Sequence, residues 1–446
     1  MAETAASPNV STNYVQSPGG IADLAAQIRA GAITPAQLLQ RYLDRIAASD
    51  SAVEAWLSVD GDGAMATAET LGAEAAAGEF RGPLHGIPIG IKDIIDVAGW
   101  PTKCNSATRR NASPATADAE IIAALRTAGA IILGKCHTTE FAYFSPSPAR
   151  NPHNINHTPG GSSSGPAAAV ASGTVPGALG TQTVASVNRP AAYCGIGAFK
   201  PSTGAGTGYG VTALAPMFDT VGFYGWSVAD AVALFEAVCP AYLEPPTVGD
   251  DAVLRVVVLE DALFDEADPA ILAAREAAAK LMASAGHEVV HLHSPVPLKS
   301  LGQTQMHATE YELARVHAGL RDHPAEDVSV KLREAIERGG DISEADYLAD
   351  RRDIDGARAA FFADLAATDA VMVPATPKTA PEGIAATGDP RFIGPWTALG
   401  GPVVSLPAGA DDAGLPIGCM LAGRPGEDRA FARLACRLAE AVNLAN

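Results

Sequence analysis

Helical stripes and short apolar runs alternate along this chain. Ile21-Ala-Asp-Leu-Ala-Ala-Gln-Ile28 carries apolar residues at helical spacing and stops at Gly31. Thr34 and Pro35 restart a helix, with Thr34 at the N-cap and Pro35 at the first helical position. Ala64 to Ala77 reads as an Ala/Glu helix closed by Gly78, and Ile87 to Ile91 as a buried strand that delivers Lys92. A helix capped by Thr116 is expected over Ala117 to Ala128, a strand over Ala130 to Leu133 closed by Gly134, and a helix over Pro166 to Ala171. Strand Leu254 to Leu259, helix Pro269 to Ala285 and strand His287 to Leu292 then repeat the rhythm. That βαβ alternation predicts an α/β fold. Residues 303–365 are charged and helical with no strand pattern, and are expected to form a helical insertion over the sheet. Ala370 to Pro374 returns to a buried strand.

Composition sets the limits. The chain has 446 residues, 48% of them hydrophobic, enough for a large core. Its motifs run through it as one unit, so a single domain is expected over 21–446, after a loose tail at 1–20. A net charge of −19 without a basic cluster argues against a nucleic-acid partner. Cysteines 104, 136, 194, 239, 419 and 436 form no CxxC pair and read as reduced thiols of a cytoplasmic protein. The absence of an 18-residue apolar run predicts no membrane partner. Met1 to Gly20 lacks the basic start and apolar centre of a secretory signal.

Three segments carry candidate chemistry: Lys92, Gly160-Gly-Ser-Ser-Ser-Gly165, and Gly180-Thr-Gln-Thr-Val-Ala-Ser-Val-Asn-Arg-Pro-Ala191. Taken singly, a strand-end lysine usually reaches water and Gly/Ser clusters are ordinary turns. Together they supply a nucleophilic hydroxyl, a relay hydroxyl and an amine that burial can keep neutral.

At these residues the chain resembles the amidase signature family. Gly82-Pro-Leu-His-Gly-Ile-Pro-Ile-Gly-Ile-Lys-Asp93 is similar to its lysine segment, and the two serine loops follow in order. Phe218-Asp-Thr-Val-Gly222, Ser405-Leu-Pro-Ala-Gly409 and Leu415-Pro-Ile-Gly418 extend the likeness toward the C-terminus. The resemblance implies an α/β fold with a mixed central β-sheet covered by α-helices on both faces. It implies a catalytic Lys92, Ser162 and Ser186, with Ser186 as nucleophile, Ser162 as relay on a cis peptide, and Lys92 as base. The backbone N–H groups of Thr183, Val184, Ala185 and Ser186 would form the oxyanion hole, with Ser163 supporting. The implied reaction is hydrolysis of C–N acyl bonds, other than peptide bonds, in a small-molecule amide or carbamate (urethane), through an acyl-enzyme, with no metal or organic cofactor. A homodimer is left open. Two other roles fit the same family: a glutaminase-type component of an amidotransferase, and a non-catalytic scaffold.

The chain departs from the usual pattern in places. Val184 and Ala185 stand where the family places glycines, Gln182 where many members have Asp, and Asn188 where Arg is usual, with Arg189 next. A turn that keeps negative φ would accommodate Val184, whose side chain would then narrow the pocket. Phe141, Tyr143, Phe144 and Trp396 are expected to wall that pocket, which favours an apolar or aryl substrate.

Two formal motif matches are set aside. His287-Glu-Val-Val-His291 fits a zinc-protease pattern, but on a strand its histidines stand about 13 Å apart. Gly161-Ser-Ser-Ser-Gly165 fits a nucleophile elbow, yet no strand precedes it.

Overall fold

The structure is a computed structural model and describes residues 12–205, 208–239, 249 and 252–443. Among these, eleven strands form one sheet. They are β1 (Trp56–Val59), β2 (Pro88–Lys92), β3 (Ile131–Cys136), β4 (Gly177–Gln182), β5 (Gly197–Lys200), β6 (Thr220–Gly225), β7 (Arg255–Glu260), β8 (Glu288–His293), β9 (Ala370–Pro374), β10 (Val403–Ala410) and β11 (Pro416–Ala422). The spatial order is β1-β3-β2-β4-β6-β5-β10-β11-β9-β7-β8. β2 runs parallel to both β3 and β4, and β7 parallel to both β8 and β9; the other pairs are antiparallel. The mixed sheet is therefore as expected. Every residue of β2 to β6, of β9 and of β11 is buried, which explains their continuous apolar and small-residue runs. Edge strand β8 is largely exposed and carries Glu288, His291 and His293, side chains that blunt an open edge.

Helices α1 (Ile21–Arg29), α2 (Pro35–Val53), α3 (Gly61–Ala76), α4 (Glu120–Thr127), α5 (Ser164–Ala171), α6 (Asn188–Cys194), α7 (Val228–Val238) and α8 (Pro269–Ser284) surround the sheet. They are joined by α9 (Leu298–Val316), α10 (Val330–Asp341), α11 (Glu344–Asp364), α12 (Gly394–Leu399) and α13 (Asp428–Asn443). Thr34 caps α2 through a reciprocal pair with Gln37, as its position predicts. The helical stretch expected from 303 begins at Leu298 and is broken into α9, α10 and α11.

Three local expectations change. β3 passes through Gly134 and continues to Cys136, because a Cβ at Gly134 would lie 2.2 Å from the Ser58 carbonyl of the neighbouring strand. That glycine permits a close strand approach and does not end the strand. α4 starts at Glu120, with Ala119 and not Thr116 before it. Of the expected loose tail, residues 1–11 lie outside the described residues. Residues 12–20 are tied to the body: Tyr14 N donates to Pro152 O at 2.7 Å, and Pro18 O accepts from the Tyr42 hydroxyl at 2.7 Å.

Candidate active site

The strand-to-loop junctions of β2 and β4 bring the candidate groups together. Lys92 ends β2, and Thr181 lies on the adjacent strand β4. Lys92 Nζ lies 2.7 Å from Ser162 Oγ, 2.7 Å from Thr181 Oγ1 and 3.4 Å from Thr181 O. Lys92 is fully buried and has no carboxylate within ion-pair distance among the described residues. Burial therefore holds its amine well below the usual lysine range, against a weaker opposing pull from Asp219. The neighbouring buried lysine is different. Lys135 meets Asp93 at 3.1 Å and also donates to Ile95 O and Thr102 Oγ1. One lysine is thus neutralised by a partner and the other is left to a pair of hydroxyls.

The Gly161–Ser162 peptide is cis, as the family resemblance implied. Ser163 Oγ accepts from Thr181 N and donates to Thr181 O, both at 3.1 Å, so it fastens the residue that contacts Lys92. Ser186 is 8% exposed, and its hydroxyl has no hydrogen-bond partner among the described residues. The Lys92–Ser162 contact is closed and the contact from Ser162 to Ser186 is not. Such bonds commonly tighten only around a substrate.

The loop before Ser186 has a consistent polarity. Among the described residues the amides of Thr183, Val184, Ala185 and Ser186 donate no hydrogen bond. Their carbonyls are all held. Thr183 O accepts from Gln305 Nε2 at 2.9 Å, Val184 O from Thr397 Oγ1 at 2.8 Å, Ala185 O from Arg189 N at 3.0 Å and Ser186 O from the Tyr224 hydroxyl at 3.1 Å. A carbonyl shares its peptide plane with the next residue's N–H, so the held carbonyls of Thr183, Val184 and Ala185 fix the free amides of Val184, Ala185 and Ser186. Gln182 Oε1 accepts from Val187 N at 2.9 Å and Asn188 N at 3.0 Å, and its Nε2 donates to Thr397 Oγ1 at 3.1 Å. A carboxylate there would lack that donor. Thr183 Oγ1 donates to buried Asp219 at 2.6 Å. Neither Val184 nor Ala185 is among the non-glycine residues with positive φ, so the side chains that replace the family's glycines are unstrained.

Asn188 opens helix α6, so the segment after Ser186 is not extended. Consecutive side chains then point about 100° apart. Asn188 Nδ2 turns to Ser405 Oγ at 3.1 Å, whereas Arg189 reaches the first serine loop. Arg189 Nη2 donates to Gly161 O at 2.6 Å and Thr387 Oγ1 at 3.1 Å, and its Nη1 to Gly388 O at 2.7 Å.

Two cavities open near these loops. One of about 350 Å³ is walled by Tyr143, Phe144, Ala386, Thr387, Gly388 and Pro390 together with the charged Lys331, Glu334 and Arg338. The other, about 280 Å³, is walled by Val184, Leu263, Gly302, Met306, Pro390 and Gly394 together with Lys299, Gln303 and Arg391. Ser186 itself lines neither. Of the four aromatics expected to wall the substrate pocket, Tyr143 and Phe144 line the larger of these cavities. Phe141 packs on His317 with ring centroids 4.8 Å apart, and Trp396 packs on Phe361 at 5.7 Å, both inside the core. Those two assignments are corrected: α12 turns Trp396 toward α11 and away from either cavity.

Gln305, Thr397 and Tyr224 escaped the sequence reading, and Thr181, inside Gly180 to Ala191, read there as structural and not as a contact of Lys92. Asp219 also sat in a motif that had drawn attention, Phe218-Asp-Thr-Val-Gly222. On the far edge of the sheet, His291 lies with Glu260 and Glu276 rather than with His287 or His293. Arg275 already occupies both carboxylates, at 3.0 and 2.8 Å.

Comparison with known proteins fits this geometry. The Amidase family model matches residues 37–431, and the chain belongs to that family of hydrolases. It is 33% identical to a glutamyl-tRNA(Gln) amidotransferase component from Salinispora arenicola, over 94% of this chain and 96% of that one. Identity to the component of the same name in Acidothermus cellulolyticus is 37%, over 61% of this chain; there the chain spans 58% of its relative. The native peptide amidase from Stenotrophomonas maltophilia has the same fold, with a TM-score of 0.81 and 26% identity over 95% of this chain and 97% of that one.

Proposed function

We propose that this chain hydrolyses the C–N acyl bond of a small-molecule amide or carbamate by way of an acyl-Ser186 intermediate. The observation that carries the reading is the buried, carboxylate-free Lys92 held 2.7 Å from Ser162 Oγ. In the proposed sequence, neutral Lys92 takes the Ser162 proton as Ser162 takes that of Ser186. Ser186 Oγ attacks the carbonyl carbon, and the new oxyanion meets the amides of residues 183–186. Collapse breaks the C–N bond while Ser162, resupplied by Lys92, protonates the departing nitrogen. Water then enters by the same relay and releases the acid. No step calls for a metal or organic cofactor.

The relatives named as amidotransferase components favour a second reading, in which the chain releases ammonia from glutamine for a partner. Free glutamine brings an ammonium and a carboxylate that need charged partners; Val184, Leu263 and Met306 make part of one cavity wall apolar, and Lys299 and Arg391 line the same cavity. Turnover of primary amides, anilides, aryl carbamates and glutamine by the isolated chain, with mass mapping of the trapped acyl group, tests both. Acylation of a residue other than Ser186 would overturn the mechanism, and glutamine as best substrate would favour the second reading.

A further inference from the structure

The two cavities share one wall residue, Pro390. The larger cavity borders the Ser162 loop. A Cβ on Gly161 would lie 2.7 Å from Thr387 Cγ2, and Arg189 bonds both Gly161 O and Thr387 Oγ1. The smaller one borders the oxyanion segment through the Val184 side chain. A departing amine must take its proton from Ser162, so its nitrogen lies on the Ser162 side. The acyl substituent, on the other side of the carbonyl carbon, is directed toward Val184.

We infer that the cleft sorts its substrate: a compact apolar acyl group lodges against Val184, and an aromatic amine leaves through the cavity walled by Tyr143 and Phe144. This inference rests on the Ser186–Ser162–Lys92 reading. It makes Val184 and Gly394 determinants of acyl size. They face each other, since a Cβ on Gly394 would lie 3.5 Å from Val184 Cγ1, an ordinary contact. Gly394 has no positive φ and starts helix α12, so alanine fits there and fills space. Phe144 is the determinant of the amine: its ring stands 4.8 Å from that of Tyr143, edge to face, and 6.0 Å from the Arg189 guanidinium.

The test uses two ratios of kcat/KM measured on the full chain, so that any general loss of rate cancels. The acyl ratio compares a branched-acyl anilide with acetanilide; the amine ratio compares an anilide with the primary amide of the same acid. Val184→Ala is expected to raise the acyl ratio about tenfold and Gly394→Ala to lower it by a similar factor, each leaving the amine ratio within about twofold. Phe144→Ala is expected to lower the amine ratio about tenfold and leave the acyl ratio in place. Acyl shifts in the same direction for Val184→Ala and Gly394→Ala, or an amine ratio moved by either, would overturn the assignment. A wild-type chain that forms no acyl-Ser186 adduct would instead sink the underlying mechanism, which mass spectrometry reads independently of the ratios.

Discussion

Arg189 Nη2 donates to the carbonyl oxygen of Gly161 at 2.6 Å, so the residue three places after Ser186 grips the peptide that precedes Ser162. The two serine loops are fastened by a buried side chain that also ties in Thr387 and Gly388. A lysine amine cannot span these acceptors as a planar fork does. Arg189→Lys should cost about 2–4 kcal/mol of stability, readable as a lower denaturation midpoint. It should also lower kcat by about 10- to 100-fold through misplaced hydroxyls. Unchanged kcat would show that the relay does not depend on this grip.

Ser186→Ala should abolish turnover, by on the order of 10³-fold or more, while thermal stability stays near that of the wild type. The hydroxyl has no hydrogen-bond partner among the described residues, so the fold loses little with it. Residual turnover near the wild-type rate would point to another nucleophile.

Lys92→Met should be as damaging as loss of Ser186. In the wild type the amine must be neutral to accept a proton, and burial lowers its pKa. Activity is therefore present above that depressed pKa and lost as the pH falls through it. A kcat/KM profile that rises as the pH falls, on a substrate that does not titrate, contradicts the neutral-amine role.

Thr181→Val removes one of the two hydroxyls that contact Lys92. The charged amine loses an acceptor, so its pKa falls further and the acid limb of the profile moves to lower pH. The rate should drop about tenfold, the equivalent of one lost hydrogen bond at ~1.4 kcal/mol. A limb that stays in place while only stability falls would make Thr181 merely structural.

Trp396→Ala should destabilise by about 3–5 kcal/mol, seen in chemical denaturation, without a change in either selectivity ratio. Its indole is 2% exposed and packs on Phe361.

Sequence carried the parts whose chemistry is local. The run ending at Lys92 reads as a strand because nothing polar interrupts it, and Gly160 to Gly165 reads as a tight loop. The partners that orient those parts were illegible. Gln305 and Thr397 lie 122 and 213 residues from the carbonyls they hold, and no periodicity reports a contact of that range. Thr181 looked like an ordinary strand threonine, because only the alignment of β4 beside β2 sets its hydroxyl against Lys92. Trp396 misled for a related reason: a short helix in a loop-rich stretch can turn its ring inward or outward, and only packing against α11 decides.

The held carbonyls of residues 183–186 bear on how this protein can fail. Their anchors come from α9, α12, α6 and β6, so the proposed oxyanion face takes shape only once chain segments from both halves have closed over it. Turnover is thereby a gauge of long-range closure. Local loosening of α9 on heating should silence the enzyme before the sheet melts, leaving a catalytically dead chain with nearly native circular dichroism.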